Sequence, residues 1–452
     1  MTYREALAYL DSLEVLGIRP GLDRIRALLA RLGDPHLAFP SVLIGGTNGK
    51  GSVSAYLVSI LREAGIAAGA YTSPHLVRFE ERIAVDGQPL GAADVAALTT
   101  EVRAAIEAGR GAGEELPTYF EATTALAFLH FKTRRVPIAV LEVGMGGRFD
   151  ATNVVRPLAC AITQVAMDHM QWLGSTLEAI AGQKAGILKP GVPGVIAVQD
   201  RAALEVIREE AERVGAPLVL ASGCAARPAP LGDRYSDPPA FSLTTPAGGR
   251  YDRLAIALRG THQVGNATLS VLLAEQAGKR GFPSIDRQAI VRGLARADWP
   301  GRLELIPGAA APGTGGPGRT AGDLLLDGAH NPAGCESLAA YLRDYQAGRR
   351  IALVFASMKD KPAEAMLAVL APRADALLVT SLPVARGESP GHLLALARRH
   401  HPRAGTAPTI EEALPIAAEA AGPGGLVVVS GSLYLVGEVK KLLAHRAAAR
   451  SA

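Results

Sequence analysis

The chain has little cysteine: three in 452 residues, Cys160, Cys224 and Cys335, far apart from one another. That scatter excludes a disulfide framework and a zinc spacing, and it fits packing residues in a reducing compartment. No uncharged apolar run approaches the roughly 18 residues that a membrane span needs. The opening "MTYREALAYLDSLEVLGIRPGLDRIRALLARLG" carries charges throughout and reads as amphipathic helices, not as a signal peptide. A cytoplasmic location without a membrane partner is therefore expected. Charge of one sign is not in excess either, since 47 Lys and Arg face 43 Asp and Glu for a net +4. The two signs are interspersed, so nucleic acid is not indicated. No repeat of fixed period is visible. What is present is apolar material, 48% of the residues, in a chain too long for one ordinary core, so two or three domains are expected.

Apolar strand-like runs alternate with helical stretches from Ser41 to about Leu220, the signature of βαβ units and a mainly parallel sheet. The clearest are "SVLIGG", "IAAGAY", "PIAVLEVG", "LACAIT" and "GVIAV". Further on, "FSLTTPAGGRYDRLAIAL" alternates about a Gly-Gly turn and predicts an antiparallel hairpin. Helical periodicity resumes at "NATLSVLLAEQAG" and continues to about Ala297. Pro300 and Gly301 then break the pattern, and "DLLLDGAH", "RIALVFAS", "ADALLVTS" and "GLVVVSGS" begin a second alternation. A boundary near Asp298 divides residues 1–297 from 298–452. The Pro/Gly-rich Pro307–Gly322 is too poor in apolar residues to pack and reads as a mobile loop in the second part.

The stretch "SVLIGGTNGKGSVSAYLV" runs from a strand through a glycine-rich bend into a helix. Such a bend gathers backbone N–H groups and a helix N-terminus around one point, which favours a polyphosphate. Lys50 would supply a point charge, and Ser52 a hydroxyl near the phosphates or their Mg²⁺. Gly51 stands where the usual phosphate loop has Ser or Thr directly after the lysine. The bland alternative is a tight β–α turn that needs glycine. In "LEVGMGGRFDATNV", Glu142 ends a buried strand, at the edge where open α/β sheets bind ligands. It can hold Mg²⁺ or pair with Arg148, and Asp150 can accept from an amino-bearing heterocycle. Asp168-His169 follows another strand end; the histidine suits a metal, a phosphate or a purely structural role. Lys184, near a helix C-terminus, reads as a solvated partner of the helix dipole. In the second part, "LLLDGAHNP" ends a strand in Asp327, which can accept from ribose hydroxyls, with His330 and Asn331 behind it, or else forms a helix cap and turn. Arg302, in the link, can reach nucleotide phosphates when the domains close or can pair with Glu304.

Taken in order, "PGLDRIRALLARLGDP", "GGTNGKGS", "TSPHLVRFEERI", "TYFEATTALAF", "LEVGMGGRFDATNV", "MDHMQWLG", "QKAGILKPG", "THQVGNA", "WPGRLE", "LDGAHNP" and "GSLYLVGEV" resemble the folylpolyglutamate synthase and dihydrofolate synthase family of the Mur ligase superfamily. The resemblance covers nearly the whole chain, and the Gly51 insertion belongs to the family's own loop. It implies an α/β fold: an N-terminal ATP-binding domain with a phosphate loop and a mainly parallel sheet, plus a smaller Rossmann-like glutamate-ligase domain. It implies that Thr47, Asn48, Gly49, Lys50, Gly51 and Ser52 hold ATP, with Asn266, Arg302 and Asp327 completing the nucleotide site. Ser73, Glu142 and His169 match Mg²⁺ ligands. Lys184 matches a lysine that CO₂ carbamylates into an anionic oxygen ligand, which reverses its bland reading. Gly21, Leu22, Thr118, Tyr119, Phe120, Glu121, Phe149, Asp150 and Ala151 match the pterin surface. His330, Ser432 and Tyr434 are candidates for the incoming glutamate, and Lys184 and His330 are the catalytic candidates.

The reaction implied is ATP- and Mg²⁺-dependent joining of L-glutamate to dihydropteroate, to reduced folates or to both, through an acyl phosphate and by a monomer. Three departures stand out: Met167 and Phe149 replace common leucines, and the Pro307–Gly322 loop is longer than usual. A muramyl peptide ligase shares the architecture, but only about forty residues precede "SVLIGG" here. A phosphate-loop switch ATPase would leave the second domain unexplained.

Overall fold

The computed structural model describes residues 1–228, 239–310 and 322–451. Most of the expected Pro307–Gly322 loop lies outside these described residues. The chain divides into two compact units. One holds the chain up to the first undescribed segment together with Ala240–Ala257 and Gln263–Asp298, and the other holds Leu258–His262 and the residues from Trp299 onward.

In the first unit an eight-stranded sheet is built from β1 (Ser41–Gly45), β2 (Gly69–Tyr71), β3 (Ile83–Val85), β4 (Gln88–Pro89), β5 (Ala139–Glu142), β6 (Ala159–Ile162), β7 (Gly194–Ile196) and β8 (Leu218–Leu220). Their order is β4-β3-β2-β5-β1-β6-β7-β8. From β2 to β8 the neighbours pair in parallel, whereas β3 and β4 join as an antiparallel edge. The sequence reading missed that edge because its strands are short; the Asp86-Gly87 turn between them is the signal that marks it. A smaller antiparallel sheet has the order β11-β10-β9, from β9 (Ala225–Pro228), β10 (Ala240–Thr244) and β11 (Arg250–Ala255). It contains the expected hairpin and adds a third strand.

The helices of this unit are α1 (Tyr3–Ser12), α2 (Asp23–Arg31), α3 (Lys50–Glu63), α4 (Ala92–Gly111), α5 (Tyr119–Thr133), α6 (Met170–Leu173), α7 (Leu177–Ala185), α8 (Arg201–Val214), α9 (Gln263–Lys279) and α10 (Arg287–Arg296). All five residues of β1 are buried, as is the unbroken run Glu121–Phe131 of α5. A strand and a helix with no polar face can exist only as the middle of a layered core, and that fixes β1 as the central strand. Gly293 lets α10 lie directly on α3, since a Cβ there would stand 2.5 Å from the Cα of Ile60.

The second unit has a six-stranded sheet in the order β12-β13-β17-β14-β15-β16, from β12 (Glu304–Ile306), β13 (Asp323–Leu326), β14 (Ile351–Phe355), β15 (Ala376–Val379), β16 (Gly405–Thr406) and β17 (Leu426–Ser430). Only β12 runs antiparallel to its neighbour. Its helices are α11 (Pro332–Tyr345), α12 (Ala363–Leu370), α13 (Pro390–His400), α14 (Ile410–Ala421) and α15 (Leu433–Ser451). Among the described residues no helix is long and apolar enough to cross a membrane.

Gly293→Val should drive α10 off α3 and destabilise the first unit by about 1–3 kcal/mol, the usual cost of overpacking. A lower urea midpoint for the first transition, with unchanged far-ultraviolet circular dichroism before it, checks this.

Candidate active site

The central strand β1 lies between β5 and β6, with Ile44 opposite Glu142 and Gly45 opposite Ile162. The chain leaves β1 toward one side of the sheet and reaches β6 on the other. This is the topological switch point at which open α/β sheets form a crevice beyond their strand ends. The loops after β1, β5 and β6 therefore meet, and they carry Thr47 to Ser52, Phe149 to Ala151 and His169.

The loop after β1 is shaped by two glycines. Gly46 has φ 132°, and a Cβ there would run into Thr163; Gly49 has φ 94° and is packed against the Asn266 side chain. Thr47 pins the loop to the one after β6, its hydroxyl donating to the Ala166 carbonyl and accepting from the Ala166 N–H, both at 3.1 Å. The N–H groups of Thr47 and Asn48 both donate to the Gln164 carbonyl, at 3.0 and 3.3 Å. Helix α3 then begins with no side-chain cap. Its first-turn N–H groups, which no helix can satisfy internally, favour negative charge at its positive end. Lys50 curls back, its ammonium donating to the carbonyls of Gly46 (3.2 Å) and Thr47 (3.0 Å).

Lys184 overturns the solvated reading of its helix position. It is 4% exposed, and its Nζ donates to the Gly46 carbonyl at 2.8 Å. Burial, aided by the neighbouring charge of Lys50, brings its pKa from the usual 10.5 down to about 7, with Asp168 and Asp150 opposing. Near neutral pH a large share of it is the uncharged amine, the form that acts as a nucleophile.

The expected metal ligands come partly together. Glu142, buried at the end of β5, accepts from the Ser73 N–H at 3.3 Å. His169 has φ 49° and gives its own N–H to Asp168 at 2.8 Å. Arg148, the alternative partner for Glu142, pairs with Glu210 at 2.7 Å. Among the described residues no group of three or more His, Cys, Asp or Glu is placed to hold a metal ion by itself. A Mg²⁺ that takes one or two protein oxygens and fills its shell with phosphate and water fits the Glu142 carboxylate, beside which the Ser73 backbone lies.

The segments expected at the pterin are joined by direct contacts. Gly21 and Leu22 lead into α2, whose Arg24 donates to Glu121 at 3.2 Å. Thr118 and Glu121 form a reciprocal capping box at the start of α5. Phe120 lies against Gly144, with its ring 5.9 Å from that of Tyr71, and burial lifts the Tyr119 phenol to about 12. Asp150 turns inward: it accepts from the N–H groups of Met145 and Thr152, both at 3.0 Å, and from the Thr152 hydroxyl at 2.5 Å. It thereby closes the loop that ends at Ala151 and leaves Phe149 48% exposed.

Ser52, expected near phosphate or Mg²⁺, is 3% exposed and accepts from Gln263 at 3.2 Å, inside the seam between α3 and α9. Gln263 also accepts from Asn266 at 2.9 Å. It was not singled out in the sequence, although the i, i+3 spacing of Gln263 and Asn266 in "THQVGNA" is the signal that could have found it.

Within the second unit, Asp327 at the end of β13 accepts from Leu303 N–H (2.9 Å) and Ala329 N–H (3.0 Å), which binds the link beside Arg302 to the sheet. Burial raises its pKa, opposed chiefly by Arg302. His330 holds the Gly328 carbonyl through Nδ1 at 2.8 Å, and Asn331 caps α11 through Gly334. Glu304, the alternative partner of Arg302, is taken by Lys440 at 2.6 Å. Buried Ser432 accepts from the N–H of Tyr434 at 3.2 Å, and the Tyr434 ring is exposed.

Residues 44–274 match the Mur ligase middle domain, and residues 315–433 match the Mur ligase, glutamate ligase domain. The Bacillus subtilis dihydrofolate synthase/folylpolyglutamate synthase is 37% identical over 98% of this chain and 99% of its own. The chain belongs to the folylpolyglutamate and dihydrofolate synthase family. Solved Mur ligase relatives agree over both units. A Mycobacterium tuberculosis folylpolyglutamate synthase complexed with ADP and AMPPCP superposes with TM-score 0.86 at 31% identity, covering 97% of this chain and 98% of that one. E. coli FolC in complex with DHPP and ADP gives TM-score 0.84 at 29% identity over 98% of each chain. Membership in this family makes the chain an ATP-dependent acid–amino acid ligase.

The lowered Lys184 pKa has a sign in stability. Between about 7 and 10.5 the folded chain holds fewer protons than the unfolded one, so stability rises with pH across that window. In degassed buffer, Lys184→Met should flatten this rise, by at most about 1.4 kcal/mol per pH unit; urea titrations of both proteins from pH 7 upward measure it.

Proposed function

We propose that the protein joins L-glutamate both to dihydropteroate and to folates that already carry glutamate, at the expense of ATP, and works as a cytoplasmic monomer. The observation that carries this reading is the meeting, beyond the end of β1, of an uncapped helix N-terminus, Lys50, the buried amine of Lys184 and the Ser73–Glu142 contact. A carboxylate is a poor acyl donor until its oxygen becomes a leaving group, so the acceptor is first phosphorylated by ATP. The glutamate amine then attacks the acyl phosphate, and phosphate departs.

In this chain the work is positioning and charge compensation. The start of α3 and Lys50 hold the phosphates, with Asn266 setting the loop through Gly49. Arg302 and Asp327 are assigned to the nucleotide, and His330, Ser432 and Tyr434 to the glutamate. Glu142, Ser73 and His169 would hold Mg²⁺, which supplies neutralisation of charge on the transferring phosphoryl group. Gly21, Leu22, Thr118–Glu121 and Phe149–Ala151 take the heterocycle. Lys184 is carbamylated: its neutral amine adds to CO₂, releasing a proton and leaving an N-carboxylate as an anionic oxygen ligand. The amine's lowered pKa supports this, because only the uncharged form reacts.

With each acceptor, ATP and labelled glutamate, mass determination should find products one glutamate heavier. Lys50→Ala should lose about a hundredfold or more of that activity, as when a preorganised donor to developing charge is removed, with an unchanged circular dichroism spectrum. Retained ligation at ordinary ATP levels would sink the loop assignment. In ¹³C-bicarbonate the wild type should show a carbamate carbon resonance that Lys184→Arg lacks, and its absence from the wild type would refute the modification.

A further inference from the structure

Arg82 is a buried guanidinium, 8% exposed, that makes no ion pair among the described residues. The acids of its own segment are committed elsewhere. Glu80 pairs with Arg78 at 2.7 Å. Glu81 accepts from the N–H groups of Leu76 (2.8 Å), Val77 (3.1 Å) and Arg78 (2.8 Å), and so folds the loop that follows Ser73. Glu121, in the neighbouring segment, takes Arg24. Asp11 is within electrostatic reach of Arg82 but forms no ion pair with it.

The position of Arg82 is well defined. Its carbonyl accepts from the Thr72 N–H at 2.9 Å, which sets it level with the residue before Ser73. Its Nε donates to Nδ1 of His75 at 2.9 Å, and its guanidinium lies 5.4 Å from the centroid of the Tyr119 ring. Stacking on tyrosine and one hydrogen bond hold the plane while leaving the outer edge of the fork, the part that grips carboxylates in pairs, uncommitted to any acid. A buried cation in that state is costly unless an anion completes it. It stands between the Ser73 loop and the Thr118–Glu121 segment, where the two ends of an acceptor would lie.

We propose that Arg82 receives the non-reacting carboxylate of an acceptor that already bears glutamate, and so sets the preference for such acceptors over dihydropteroate; this rests on the glutamate-ligase reading above. A glutamate-ended acceptor brings two carboxylates: one is activated and loses its charge, whereas the other stays anionic throughout and needs a fixed partner. Dihydropteroate has only the reacting one.

The test is a cycle that changes protein and acceptor together. Ligation kinetics are measured for the wild type and Arg82→Gln with dihydropteroate, with a glutamate-bearing folate, and with that folate amidated at the non-reacting carboxylate. Amidation should cost the wild type about tenfold or more in kcat/KM, chiefly through KM, the loss expected for one charge-assisted hydrogen bond. Arg82→Gln should lose a similar factor with the intact acid and show little further loss on amidation. The ratio of kcat/KM for the folate to that for dihydropteroate should fall by the same factor. A purely structural role would lower both acceptors equally, and that result, or losses that simply add, overturns the proposal. So does a wild type indifferent to amidation. If Arg82→Gln does not fold, Arg82→Lys takes its place in the same cycle and should keep part of the preference. A wild type that ligates neither acceptor overturns the glutamate-ligase reading itself.

Discussion

The carbonyl of Gly46 is gripped by two ammonium groups, Lys50 and Lys184, and the character of the first unit's site depends on that crowding. Lys184 is buried and Lys50 partly so, and the charge of Lys50 adds to the cost of charging Lys184. The deeper one, Lys184, is pushed toward neutrality, while Lys50 sits at the helix start where polyphosphate would sit. The same geometry that disfavours two cations beside one carbonyl favours anions there, by adding to the field of the α3 dipole.

The acidic residues show the complementary pattern. Glu81, Glu121, Asp150 and Asp327 each take backbone N–H groups at the ends of strands or the starts of helices, where they fix the loops. Such bonds stabilise the ionised carboxylate and hold a turn in one conformation, each contributing about 1.5–3 kcal/mol. The consequence is plainest at Arg82, whose neighbouring acids Glu80 and Glu81 are engaged by Arg78 and by backbone N–H groups.

Much of this was legible in the chain. The strands near Ser41, Ala139 and Asp323 are apolar runs that end in glycine or run into an acid, and such runs announce both a parallel sheet and its functional edge. Lys184 was not legible from its own neighbourhood. A lysine in the last turn of a helix looks like a dipole partner, and only the approach of α7 to Gly46, a contact across 138 positions, buries it. The family's motif order supplied what local pattern could not. Arg82 was hidden differently: it stands in a recognisable motif, but its lack of an acid partner becomes visible only when the hydrogen bonds of Glu80 and Glu81 are traced.

The inserted Gly51 can now be understood through helix geometry. Each residue advances about 100° around an α-helix, so moving the hydroxyl from the position after Lys50 to the next one turns it away from the mouth of the loop. Ser52 duly faces α9, where Gln263 donates to it, and Gln263 in turn holds Asn266 against Gly49. The Gln263–Ser52 hydrogen bond thereby ties the start of α3 to a helix more than 200 positions away. A glycine beside the lysine keeps the loop mouth clear of side-chain bulk, and the serine behind it makes the loop's conformation depend on α9. The departure from the common phosphate-loop pattern exchanges a hydroxyl at the mouth for a brace beneath it.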